Sequence, residues 1–174
     1  MKRQGPLVAA VSLVFFMCFV AAPAARGAPD GVRVRYLPFT STLYRYTLMQ
    51  PDSFRHIVLR DPVGRQVDYF YPALGSSVTD VNIYAERHNH LDDQAAILRV
   101  TGAVRVRVSG HLAVGHMKIA IVSGDRSGIP GKWREEGAEF IENGQVWHMT
   151  MSYLFKYASL RPMMLHMLET FRPQ

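Results

Sequence analysis

The segment Glu86-Arg87-His88-Asn89-His90-Leu91-Asp92-Asp93 packs two imidazoles, a guanidinium and three carboxylates into eight residues. Alternate side chains of an extended chain share a face, so His88 and His90 can both point at one ion, with a later carboxylate completing the set. Imidazole donors suit zinc or copper. A polar turn from strand to helix uses the same residue types, with Asp92 and Asp93 as helix-capping carboxylates. A second soft-donor group lies toward the C-terminus, where Met149, Met151, Met163, Met164 and Met167 accompany His148 and His166. Thioethers favour cuprous ion. These methionines nevertheless fall on the apolar faces of a strand and a helix, where the side chain serves as filler for an irregular core.

Catalytic patterns are easier to exclude. The glycine-rich stretch 124–132 is no P-loop, because Arg126 stands where the first glycine would be needed and Trp133 replaces the magnesium-binding hydroxyl. The chain has no G-x-S-x-G elbow and no H-E-x-x-H helix. Glu135, Glu136, Glu139 and Glu142 are carboxylates scattered on a segment expected at the surface, without paired geometry. Arg33, Arg35, Arg45, Arg55 and Arg60 suggest a basic face, either plainly solvated or turned to an acidic partner or lipid surface. Arg33 and Arg35, with Tyr69 and Tyr71, are the candidate partner-binding residues.

The scaffold must fit in 174 residues and 19.7 kDa, enough for one domain and too little for two full cores. Lys2 and Arg3 precede an apolar run from Leu7 to Ala22 and a small-residue stretch, the pattern of a secretory leader cleaved after Ala24 or Gly27. That run is shorter than the roughly 20 residues of a membrane anchor, so no stable span is expected after cleavage. Residues 1–27 are therefore read as leader and 28–174 as one domain. Without the leader, the formal +6 falls to 17 basic against 14 acidic residues, too small an excess for a nucleic-acid partner. Cys18 is the only cysteine and lies in the leader. The mature chain therefore has no disulfide, no thiol nucleophile and no thiolate metal site.

Periodicity gives many short strands and two helices. Residues 32–36, 43–49, 56–59, 67–71, 78–85, 104–108 and 118–122 show strand composition or alternation. Residues 123–131 are expected to be a loop. Asn143-Gly144 predicts a tight hairpin joining 139–141 to 145–153. Asp92–Leu98 is a short helix, with acids in its first turn. Leu160, Met163, Met164, Met167, Leu168 and Phe171 form one helical stripe, with Ser159 as cap and Pro162 in the first turn. Such a helix laid over a mainly antiparallel sheet makes an α+β fold.

The order of these elements resembles the PsbP-like family. Tyr44-Arg-Tyr46 followed by Pro51-Asp-Ser-Phe54 is similar to its Y-x-Y strand and Pro-x-x-Trp turn, with Phe54 in place of the tryptophan. Val67–Pro72 and Thr79–Ile83 resemble the paired strands that follow, the second similar to an N-V-x-V pattern. Asn143–Thr150 is similar to the G-x-x-Y-x-L-T strand, and Leu168–Arg172 to the closing I-L-x-S-F-R helix end. The central region departs from the pattern in its compressed helix and shorter hairpins.

The resemblance implies an α/β/α sandwich around a mainly antiparallel sheet, used as a non-catalytic binding or accessory module. Members are lumenal in photosynthetic organisms, where they assist photosystem assembly or the oxygen-evolving centre. Bacterial relatives are exported. The family has no common active site, so no catalytic residue carries over. The expectation is a periplasmic or secreted monomer without enzymatic activity or cofactor, meeting a protein or small ligand at its surface. The alternative is a metal-binding protein that uses His88 and His90 for zinc or copper.

Overall fold

The computed structural model describes residues 34–73, 79–87, 90–100, 102–127 and 131–174. The leader, Arg33 and His88 lie outside the described residues.

Among the described residues ten strands form two antiparallel sheets that share no strand. The smaller has the order β1-β2-β10, from Tyr36–Ser41, Tyr46–Pro51 and Arg172–Pro173. The larger runs β3-β4-β5-β9-β8-β7-β6. Its members are β3 (Phe54–Arg60), β4 (Gln66–Pro72), β5 (Thr79–Glu86), β6 (Val104–Val114), β7 (Met117–Ser127), β8 (Lys132–Glu142) and β9 (Gln145–Leu154). Helix α1 (Gln94–Val100) packs on β6, β7 and β8, and α2 (Arg161–Glu169) packs on β2, β6 and β9. The α+β class and the helix on each face of a mainly antiparallel sheet are as expected.

Alternation decides which helix covers which face. Val81 and Ile83 of β5 pair with Met151 and Met149 of β9, and all four are buried beside Met164, Met167, Leu168 and Phe171. The C-terminal methionines are core. Trp147 belongs to the same face, where its ring meets Tyr46 at 5.9 Å and Phe171 at 4.9 Å in edge-on geometry. The intervening residues of β9 must point to the opposite face. There α1 lies over Gly137, whose missing Cβ makes room for Gln94: a Cβ would stand 2.8 Å from the Gln94 Oε1.

Several boundaries differ from the sequence reading. The first described strand begins at Tyr36, just where the expected one ended. β7 continues through Gly124 and Asp125, expected in a loop, because Asp125 is paired with Arg134 at 2.8 Å and Arg105 at 2.6 Å. Glu136 and Glu139 are buried rather than superficial. Glu136 takes a two-point ion pair from Arg161 (Nε to Oε1 2.8 Å, Nη2 to Oε2 2.9 Å) and the Tyr153 hydroxyl donates to it at 2.9 Å. That pair, not a Ser159 cap, fixes the start of α2. Ser159 sits in a 3₁₀ turn, Phe155–Leu160, and Leu160 at the N-cap makes no side-chain bond. Asp93 precedes α1 and caps it, accepting the N–H groups of Ala95 and Ala96.

Asp68 joins the two sheets. Its side chain is 1% exposed on the core face of β4. It accepts the Ser41 hydroxyl at 2.6 Å from the small sheet and meets His56 Nε2 of β3 at 2.7 Å. Burial alone would raise its pKa, but hydrogen bonding from His56 and Ser41 outweighs it and holds the carboxyl below its ordinary value. A lowered acid pKa contributes stability that is complete above the unfolded pKa, about 4, and lost as pH falls through the folded value. Asp68→Ala should therefore cost about 3 kcal/mol in urea unfolding at pH 7. Its acid-side loss of stability should be shallower than the wild type's. Equal stability of the two proteins at pH 7 would refute this role.

Candidate functional site

Glu86 and Asp92 of the polar stretch 86–93 meet groups from three other segments. In the β8–β9 hairpin Glu139 stands directly opposite His148, and in the β5–β9 pair Tyr84 stands opposite His148 with Glu86 two residues on. All these side chains emerge on the α1 face of the sheet. His148 is 2% exposed. Its Nδ1 lies 2.6 Å from Glu139 Oε1, and its Nε2 lies 3.6 Å from Glu86 Oε2. The Tyr84 ring stacks on the imidazole at 4.3 Å and 14°. The second Glu139 oxygen accepts the Asp92 backbone N–H at 2.6 Å, which draws the segment before α1 onto the cluster.

Arg65, after the β3–β4 turn, closes the outer side. It pairs with Asp61 at 2.7 Å, with Glu86 Oε1, and lies 4.1 Å over the Tyr84 ring. Burial opposes its charge, but hydrogen bonds to Asp61 and Glu86 raise its pKa and keep it protonated. Burial is also the main cause that pushes the Tyr84 phenol up to about 12. Ligand atoms of Glu86, Asp92 and His148 all lie within 4.8 Å of one another.

His90, the described member of the H-x-H pair, is 69% exposed, with Nε2 3.9 Å from Asp92 Oδ1. It therefore stands at the rim of the cluster, while His148 supplies the buried imidazole. Sequence reading singled out His148 only as a neighbour of methionines. The signal that places it was available in Asn143-Gly144, since a two-residue turn puts 142 opposite 145 and hence 139 opposite 148.

Tyr69 and Tyr71 share the same sheet face nearer its outer edge, with ring centroids 5.7 Å apart. Arg55 of β3 pairs with Tyr71 and Ile57 with Tyr69. Arg35 is exposed, and its carbonyl accepts the Asp52 N–H at 2.9 Å, just before β3 begins. The structure thus groups Arg55 with the tyrosines through strand pairing, and Arg35 stands in the chain segment tied to the start of that edge.

Two cavities among the described residues bear on where a ligand could sit. The gap between α2 and the sheet, about 10 Å³, holds at most one water. The other is an open cleft of about 470 Å³ at the β8–β9 turn, with Arg45, Arg87, Asn143 and Gln145 around the edges of Tyr44 and Trp147. Neither gathers a nucleophile, a base and an orienting group.

No family model matches the chain, and no curated protein matches its sequence. Solved structures do match it. The cyanobacterial PsbP (CyanoP) of Synechocystis gives a TM-score of 0.58 at 9% identity, over 88% of this chain and 100% of that one. A Bacteroides thetaiotaomicron protein gives 0.50 at 10% identity over 74% of this chain, which spans only 45% of that protein. LpqN, involved in cell envelope biogenesis in Mycobacterium tuberculosis, gives 0.47 at 13% identity, over 79% of this chain and 90% of its own. The fold is PsbP-like.

One acid on the α1 face is set apart by its surroundings. Desolvation, with the Glu135 charge as a lesser cause, pushes the Asp80 carboxyl up to about 7, against hydrogen bonds from Ser152 and Asn82. A raised acid pKa binds extra protons in the fold, so stability falls as pH rises from about 4 to 7. Asp80→Asn should raise the Tm at pH 8 and leave it nearly unchanged at pH 4, as thermal melts will show. An equal shift at both pH values would contradict it.

Proposed function

We propose that this PsbP-like chain is an exported, non-catalytic module that binds an acidic, extended segment of another protein along strand β3. The observation that carries this reading is the exposure of three consecutive apolar side chains, Ile57 (39%), Val58 (45%) and Leu59 (40%), on the outermost strand of the large sheet.

An outer strand offers a row of backbone N–H and C=O groups to any extended chain, and folded proteins normally blunt such edges. The opposite edge is blunted. β6 has two register shifts against β7, and Arg105 in it takes a left-handed φ of 54°. β3 pairs with β4 without a shift from Phe54 to Arg60, so its outer edge is straight. Strand addition needs such an edge, with main-chain hydrogen bonds for affinity and neighbouring side chains for choice.

Charge selects the partner. Arg55 and Arg60 flank the apolar triplet, Arg35 stands close in the chain path, and Tyr69 and Tyr71 lie beside the edge. An acidic chain with apolar residues at alternate positions complements it. Export is supported by the leader pattern. Among the described residues no helix is long and apolar enough to cross a membrane.

Fluorescence anisotropy with a labelled extended peptide of alternating valine and glutamate tests the reading. Binding should weaken as salt is raised, fail for the lysine counterpart, and drop about tenfold or more when Ile57 and Leu59 are both changed to Ser, which adds no charge. Both positions are exposed, so the variant's stability should stay within about 1 kcal/mol. Equal binding of both peptides, or full affinity in the folded variant, would sink the proposal.

A further inference from the structure

We propose that Glu86, Asp92 and His148 form a binding site for one divalent ion of the zinc class. The site lies away from the β3 edge and does not depend on the peptide-binding reading.

One short stretch supplies two donors, Glu86 at the end of β5 and Asp92 before α1, and the middle of β9, distant in sequence, supplies His148. His148 Nε2 and Glu86 Oε2 stand 3.6 Å apart, a separation too long for a hydrogen bond between them. Donors held about 2.0–2.2 Å from a tetrahedral ion are separated by about 3.3–3.6 Å. The pair is therefore spaced as two ligands of one ion. Asp92 needs only a small side-chain movement to join them, since the whole set already spans no more than 4.8 Å.

The surroundings orient each donor. A metal-binding imidazole commonly gives its other N–H to a carboxylate, which sets the tautomer and points the second nitrogen at the metal. His148 has that arrangement, with Nδ1 2.6 Å from Glu139. Glu139 also holds the Asp92 backbone at 2.6 Å, so one buried carboxylate positions two ligands. Arg65 engages Glu86 through Oε1, and Oε2 is the oxygen turned toward His148. Tyr84 stacks on the imidazole and fixes its plane. One nitrogen and two carboxylate donors without a thiolate favour zinc over cuprous ion, and the imidazole disfavours calcium and magnesium. Asp92 is 38% exposed and Glu86 29%, which leaves a path from solvent. The rim residue His90, 3.9 Å from Asp92, is the natural fourth donor.

Isothermal titration of the metal-stripped protein with zinc chloride should give one site. Asp92→Asn should weaken binding at least tenfold, and His148→Gln should abolish it. Glu139→Gln, which removes no ligand, should weaken it about 10- to 100-fold. Asp92 is only half-buried, so Asp92→Asn remains informative if the buried His148 variant does not fold. Zinc-edge X-ray absorption should show imidazole together with oxygen donors. Absence of binding, unchanged affinity in folded Asp92→Asn, or loss of binding only in the His88→Ala/His90→Ala double variant would each overturn the assignment.

Discussion

The arrangement depends first on Asp68, a carboxylate with almost no contact with water that joins two sheets sharing no strand. Stripping water from a carboxylate costs several kcal/mol unless hydrogen bonds and charge replace it. Ser41, His56 and Tyr46 gather around it from β1, β3 and β2. With the small sheet held there, Tyr46 meets Trp147 and Phe171, and α2 is confined between the sheets by Met164 and Met167. Because Trp147 points inward, His148 must point to the other face. A contact at one end of the core thereby decides where the imidazole of the polar cluster emerges.

Features fixed by local rules could be read from the chain. The Asn143-Gly144 turn, with both residues at positive φ, fixes the hairpin and the opposition of Glu139 and His148. Of the predicted helical stripe, Met164, Met167 and Leu168 are the buried face of α2 and Met163 is half-buried, while Leu160 and the buried Phe171 fall just outside the helix. Features that rest on distant partners could not be read. Glu136 looks like a surface acid until Arg161 and Tyr153 arrive, and Asp125 looks like a loop residue until Arg134 and Arg105 do. The cluster was half legible for the same reason. Composition flagged 86–93, but the antiparallel pairing of β5 with β9 is what brings Glu86 to His148 across some 60 positions of sequence.

Burial separates the roles of the acids. Glu136 lies on the α2 face and is consumed by a structural ion pair. Glu139, one alternation away in the sense of the sheet, faces α1 and is shared between an imidazole and a backbone N–H. Two glutamates three residues apart in one strand would ordinarily show opposite faces. Here each face carries its own polar centre, one holding a helix and the other a histidine. Such an expenditure of buried charge on the α1 face is hard to attribute to stability alone, since apolar replacements of buried ion pairs are often as stable or more so.

Arg65 links that centre to the sheet edge. It follows the turn after β3, pairs with Asp61 in the same turn, and reaches Glu86 and Tyr84 of the cluster. Asp61 in turn accepts the Val63 and Arg65 N–H groups, so the turn is shaped by the same acid that orients the guanidinium. An ion on Glu86 would compete with Arg65 for that carboxylate. Arg65 therefore ties the turn after β3 to the buried cluster, and a change in the charge of Glu86 is felt at Asp61 through a single side chain.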